Sequence, residues 1–121
     1  MVTWSEVDAV IANYRTCVPV AGKHREWCVN KKAIAWERPL SKKDMELLGA
    51  WAPSGPVMAV HVENLEVRAK WLDRGGAFFV SRHFATYPAV LVELEKAELP
   101  ELTELLNESY EYLLARDNNR R

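Results

Sequence analysis

The sequence predicts an α+β domain of two layers. Its antiparallel sheet of about five strands carries helices on one face, in the order α-β-β-(α)-β-α-β-β-α. Three observations lead there. Apolar residues at helical spacing mark both ends of the chain, with capping residues at their starts. Short β-rich runs punctuated by turn residues fill the middle. The links between those runs are short, which favours hairpins and hence antiparallel pairing.

The elements follow in order. Thr3 and Glu6 form a capping box, and Trp4, Val7, Ile11 and Tyr14 repeat at helical spacing, so a helix is expected over 4–17, ended by Pro19 and Gly22. Residues 26–37 read as a β-hairpin. Trp27-Cys28-Val29 leads into Asn30-Lys31-Lys32, and Ala33-Ile34-Ala35-Trp36 returns, with the lysines lifted into solvent at the tip. Ser41 with Asp44 starts a short helix over 42–51, where Leu40 and Met45 form a hydrophobic staple, and Gly49 and Pro53 keep it short. Pro53-Ser54-Gly55-Pro56 is a loop.

Val57 to Val62 alternates as a strand, with His61 as a satisfied or half-exposed member. Asn64 caps a helix over 65–74 with Leu65, Ala69 and Leu72 on its buried stripe, and Gly75-Gly76 ends it. Strands are expected at 77–81 and 89–94, joined by a loop over 82–88. The later strand is placed at the heart of the sheet. A last helix over 100–116 starts at Pro100, with Glu101 and Glu104 at the positive end of its dipole. Leu99, Leu102, Leu105, Leu106, Tyr110, Leu113 and Leu114 make its packing stripe, and 117–121 form a polar tail.

With 121 residues, 49% hydrophobic and 27% charged, the chain fits one globular domain able to bury a core without disulfides or metals. Collagen-like, disordered and disulfide-scaffold classes are excluded. No apolar run approaches the ~20 residues of a membrane span, and residues 1–20 lack a signal-peptide layout, so a cytoplasmic protein is expected. Cys17 and Cys28 have no metal-ligand spacing and read as reduced thiols packed as small hydrophobes.

A net charge of −1 and a pI near 6.3 rule out a globally basic nucleic-acid binder, for which a pI above ~9 is the signature. The charge is nevertheless segregated. Residues 22–43 carry Lys23, Arg25, Lys31, Lys32, Arg38, Lys42 and Lys43 against Glu26 and Glu37. Residues 93–117 carry eight acidic side chains against Lys96 and Arg116. The chain is dipolar, with a basic segment early and an acidic helix late.

Catalytic patterns are missing. There is no phosphate-cradling glycine loop, no His-Glu-x-x-His, no nucleophile elbow and no EF-hand, and His24, His61 and His83 stand far apart. The stretch with Ser81, Arg82, His83 and Tyr87 is the one polar cluster, read as structuring its own loop, with contact to an anionic ligand as the alternative. Catalysis needs an acid or nucleophile paired with an orienting partner, and none is recognisable, so no enzyme and no cofactor are expected. Trp4, Trp36, Trp51 and Trp71 fall on or beside apolar faces, while Trp27 sits among charged residues.

Three stretches resemble the MmcQ/YjbR family. Trp27-Cys28-Val29-Asn30-Lys31-Lys32 with Trp36 is similar to its opening hairpin. Arg38-Pro39-Leu40-Ser41-Lys42-Lys43-Asp44 looks like a segment of some members. Tyr87-Pro88-Ala89-Val90-Leu91-Val92-Glu93-Leu94 resembles its most recognisable strand, followed by an acidic helix. The resemblance covers about residues 20–116 and implies a compact α+β domain related in shape to CyaY and to secretion chaperones. It also implies DNA binding through two projecting hairpin wings. Carried onto this chain, the first wing is 26–37, tipped by Lys31 and Lys32, and the second is 77–94, with Arg82 and His83. The turn Asn30-Lys31-Lys32 departs from the family's Gly-containing turn, and the second hairpin is poor in Lys and Arg.

Two functions are therefore carried forward. The first is nucleic-acid binding, most naturally to DNA, with Lys23, Arg25, Lys31, Lys32, Arg38, Lys42 and Lys43 on phosphates, joined by Arg82 and His83. The alternative is a chaperone-like interaction module that binds a protein partner or forms a homodimer through its opposite charges. Neither involves a membrane. What separates them is whether the basic side chains share a face.

Overall fold

The computed structural model describes residues 1–81 and 84–119, apart from the side chains of Trp51 and of 117–119. It is an α+β fold. The helices are α1 (Trp4–Ile11), α2 (Lys42–Leu48), α3 (Leu65–Arg74) and α4 (Leu99–Asn119), with a 3-10 turn over Gly49–Trp51. The strands are β1 (Cys17–Pro19), β2 (Glu26–Val29), β3 (Lys32–Glu37), β4 (Val57–His61), β5 (Phe78–Phe79) and β6 (Ala89–Glu93). They form one open antiparallel sheet in the order β1-β2-β3-β4-β6-β5.

At the centre, β4 and β6 pair along their full length, Val57 to Glu93 through His61 to Ala89. Every residue of both strands is buried. Met58, Val60, Val90 and Val92 face a main core with Val7, Ile11, Trp71, Leu102, Leu105, Leu106 and Leu113, so α1, α3 and α4 cover that side of the sheet. Val57, Ala59 and Leu91 face the other way, into a smaller cluster closed by Trp36, Leu40, Phe79 and Phe84. The start of α2 reaches this second face through Arg38, whose guanidinium lies 3.5 Å from the buried Asp44 carboxylate and over the Phe84 ring.

Local chemistry explains most element boundaries. The expected capping boxes at Thr3/Glu6 and Ser41/Asp44 are both formed, and Asn64 caps α3 through Val67 N–H. The first helix ends at Ile11 rather than 17, because Thr16 turns into the left-handed region (φ 61°) and 17–19 pair with 27–29 as β1. That strand was not expected. It is an edge, and Pro19 lacks the N–H that would invite another strand. The second helix stops at Leu48, with Gly49 at φ 58°. The strand expected over 77–81 shrinks to Phe78–Phe79, and α4 runs on to Asn119 instead of ending at 116.

The buried stripe of α3 also differs from expectation. Leu65 and Ala69 are exposed and Leu72 is half-buried, while Trp71 is buried, edge-on to Phe78. The larger indole buries more apolar area than a leucine, and its N–H reaches Glu108 at 3.3 Å while Arg74 covers its face.

The β2–β3 hairpin turns at Asn30 (φ 47°) and Lys31 (φ 74°), so Lys32 begins β3 instead of capping the tip. Two successive positive φ values define the mirror-image turn that matches strand twist and favours Asn-Gly. Lys31 holds the glycine position. A register shift follows: Trp27 pairs with Ala35 but Cys28 with Ala33, leaving Ile34 as an extra residue. Ile34 and Ala35 both enter the main core, and Trp36 is turned to the second face, opposite to Trp27 and Val29. Strict alternation from Ile34 would have buried Trp36 with them.

Two outcomes are expected from denaturant unfolding. Leu91→Ala opens a cavity in the smaller cluster on the second face of the sheet and lowers stability by ~2–5 kcal/mol. A loss below about 1 kcal/mol contradicts the double-sided burial of β6. Lys31→Gly removes a side chain from a left-handed position and raises stability by about 0.5–1 kcal/mol. A decrease contradicts the turn geometry.

Candidate functional site

Glu37, the last residue of β3, organises the basic segment at that end of the sheet. Its carboxylate accepts the Arg25 backbone N–H at 3.1 Å, lies 3.4 Å from the Arg25 guanidinium and 3.9 Å from His24 Nδ1. Arg25 also spans the Trp4 ring at 5.0 Å. One residue on, Arg38 pairs with Asp44. Arg25, Arg38, Lys42 and Lys43 thus gather near one end of β3, with Lys23 in the loop that caps it. Lys31 and Lys32 stand at the opposite end, roughly 20 Å away for a six-residue strand at ~3.3 Å per residue. The seven basic residues do not form one continuous face. Arg25 and Arg38 are held by carboxylates, whereas Lys23, Lys31, Lys32, Lys42 and Lys43 are exposed. Arg82 and His83, the expected contribution of the second wing, lie outside the described residues.

Two open hollows flank the loop over 21–25. One, of about 430 Å³, lies toward α1 and is lined by Asp8, Val20, Lys23, Arg25 and Trp27 among others. Trp27 itself is buried and donates its indole N–H to Asp8 at 3.0 Å, so its ring is not a stacking surface. The other, of about 440 Å³, opens on the second face of the sheet, with Lys23, His24 and Arg25 along its rim and Ala33, Trp36 and Tyr87 below. Trp36 is half-buried and Tyr87 is 38% exposed, with ring centroids 6.3 Å apart at 72°.

The loop carrying Tyr87 is fixed by a residue the sequence did not flag. The Arg68 guanidinium, projecting from α3, donates to the carbonyls of Phe84, Ala85 and Tyr87. Ser81 is buried with its hydroxyl unpartnered among the described residues, and it does not line the hollow beside Tyr87. Arg68 thus holds this loop from outside it, while Arg82 and His83, also expected to structure it, lie outside the described residues.

His61 departs from expectation more sharply. It is 3% exposed, with Tyr87 edge-on at 5.8 Å and Tyr112 stacked at 6.1 Å, and its Nδ1 has no hydrogen-bond partner among the described residues. Burial, with the positive charges of Lys32 and Arg116 behind it, lowers its pKa to about 4. It is a neutral structural side chain at pH 7. Burial likewise raises the Cys17 thiol to about 11, and Cys28 also stands above its ordinary value, so neither is an activated nucleophile. Among the described residues, no group of His, Cys, Asp and Glu could hold a metal ion, and no helix is long and apolar enough to cross a membrane.

The chain is 37% identical over 116 residues to an uncharacterised protein of Mycobacterium tuberculosis, Rv2570, covering 91% of this chain and 87% of the relative. The same identity and coverage hold for Mb2600 of Mycobacterium bovis. The chain belongs to the family of these mycobacterial proteins. No family model matches it, and no solved structure does. Both relatives are described only as uncharacterised, so what the family does has to be read from the site.

His61 makes stability pH-dependent with a definite sign. The unfolded side chain titrates near 6.5 and the folded one near 4, so the group's stabilisation is full above 6.5 and is lost as pH falls toward 4. The loss is about 3 kcal/mol at most over that window, at ~1.4 kcal/mol per pH unit. Denaturant titrations at pH 7.5 and 4.5 should show a larger drop for the parent than for His61→Leu. Equal drops contradict the buried neutral imidazole.

Proposed function

We propose that this protein is a nucleic-acid-binding domain of the cytoplasm, and that it contacts phosphates on the helix-free side of its sheet. The observation that carries this reading is the segregation of charge between the two sides. Glu104, Glu108 and Glu111 are exposed on α4, in the helix layer, and Glu98 is exposed just before it. Lys23 lies on the rim of the hollow on the second face, and Lys42 and Lys43 lie on α2, which reaches that face through Asp44. A polyanion is repelled from one layer and drawn to the other. The resemblance to the MmcQ/YjbR family, with its projecting hairpins, points the same way. Its first wing corresponds to the β2–β3 hairpin, whose exposed Lys31 and Lys32 add a separate contact region at the far end of β3. That region lies away from the helix-free face, since Lys32 shares the helix side with its partner Val29.

Phosphate contacts supply affinity without sequence information, and each one lost reduces the salt slope by about 0.9 on a log–log plot for duplex DNA. Fluorescence anisotropy with labelled oligonucleotides across salt concentrations tests this. The paired changes Lys31→Ala/Lys32→Ala and Lys42→Ala/Lys43→Ala should each weaken binding to all sequences alike and flatten the slope by about 2. Stability should stay within about 0.5 kcal/mol. An unchanged slope removes that pair from the interface. A parent protein that binds no oligonucleotide at low salt ends the reading.

One observation favours a protein partner instead. Met45 and Leu47 are exposed on α2, beside a hollow of about 310 Å³ lined by Pro39, Leu40, Met45, Pro53, Pro56 and Val57. On that reading, pull-down of a protein partner persists after nuclease treatment and is lost in Met45→Asp/Leu47→Asp.

A further inference from the structure

The hollow on the second face has features that phosphate binding does not use. Its floor is the stretch of sheet that no helix covers, over β2 and β3. Cys28 and Ala33 are cross-strand partners there, and Glu26 faces Trp36 in the next pair but one. Ala33 and Gly22 present little bulk, while Trp36 and Tyr87 stand as ring walls. A space of about 440 Å³ between small residues, the half-buried Trp36 and the exposed Tyr87 ring has room for one flat heteroaromatic group.

The polar groups around it are unequal. Glu37 is occupied by Arg25 and His24. Glu26 is half-buried, and among the described residues its carboxylate accepts only the Cys28 thiol, at 3.9 Å. A carboxylate in that position is an acceptor waiting for an N–H donor beside an aromatic wall. Lys23 on the rim is the cation available to an attached phosphate.

We propose that this hollow seats one unpaired base of a single-stranded nucleic acid. The base stacks on the Tyr87 ring, with Trp36 closing the seat edge-on to that ring, presents its amino group to Glu26, and leaves its phosphate at Lys23. The inference rests on the nucleic-acid reading above and adds the strand type and base class to it. Stacking is tolerant of base identity, since every base has a π-face. The acceptor-only carboxylate is less tolerant: it accepts from the exocyclic amino group of cytosine, adenine or guanine, whereas thymine has no amino group and offers one N3–H flanked by two carbonyl oxygens that repel the carboxylate. A base inside a duplex is stacked and paired, so the seat excludes it.

The test is anisotropy at fixed salt with labelled oligo(dC), oligo(dT) and a mixed-sequence duplex of equal length, on the whole chain. The parent should bind oligo(dC) more tightly than oligo(dT), and both more tightly than the duplex. Tyr87→Ala should weaken single-strand binding by about fivefold to a hundredfold, the usual effect of losing one stacking ring, with duplex binding unchanged. Tyr87→Phe should restore it, and Glu26→Gln should narrow the gap between oligo(dC) and oligo(dT). If Tyr87→Ala fails to fold, Ala33→Leu fills the floor of the hollow and should produce the same loss. Equal binding of single strand and duplex, unaffected by either substitution, overturns the base seat and leaves the phosphate reading standing. Binding of no oligonucleotide at all overturns both.

Discussion

The pairing of β4 with β6 sets the terms for everything around it. These ten residues are buried on both faces, although the sheet is antiparallel and such strands commonly show one face to water. Apolar surface on both sides has to be covered. Three helices do this on one side through a leucine-rich stripe of α4 and the apolar faces of α1 and α3. On the other side, among the described residues, Trp36, Leu40, Phe79 and Phe84 close over Val57, Ala59 and Leu91. The uncovered half of that face is where the hollow opens. The site is thus a consequence of how the core is completed, with the same Trp36 serving as lid for one cluster and wall for the other.

The extra residue in β3 makes this double use possible. Because Ile34 and Ala35 both turn inward, Trp36 emerges on the helix-free face beside Glu26. Glu37 then comes to the end of the strand, where it gathers Arg25 and His24 and folds the 21–25 loop over the sheet. Arg68 does the equivalent work from the other direction, holding three carbonyls of the loop that carries Tyr87. Two arginines and one glutamate fix the relative position of two aromatic rings that are far apart in sequence.

Features written in short-range chemistry were legible from the sequence. Thr3, Ser41 and Asn64 cap the helices they were expected to cap, α3 has the expected bounds, and the antiparallel sheet follows from hairpins and short links. What escaped depended on distant partners. β1 is three residues whose conformation is settled by pairing with 27–29, and nothing in Cys17-Val18-Pro19 announces that. The face of Trp36 depends on a bulge whose cause lies in the β2 register. Trp71 outcompetes Leu65 and Leu72 because Phe78, Glu108 and Arg74 are waiting for it. The basic segment was visible as composition, but composition could not say that β3 would hold its two halves at opposite ends. Nor could it show that Glu37 and Asp44 would engage two of its arginines.

The central claim is that the helix-free face around Trp36 is the working surface of the molecule. Residue-resolved NMR of the labelled chain, titrated with a short single-stranded oligonucleotide, tests it most directly. Amide and indole shifts should concentrate in 22–26, 33–37 and Tyr87, with α4 silent. Shifts centred on α1 and α4 instead would contradict it.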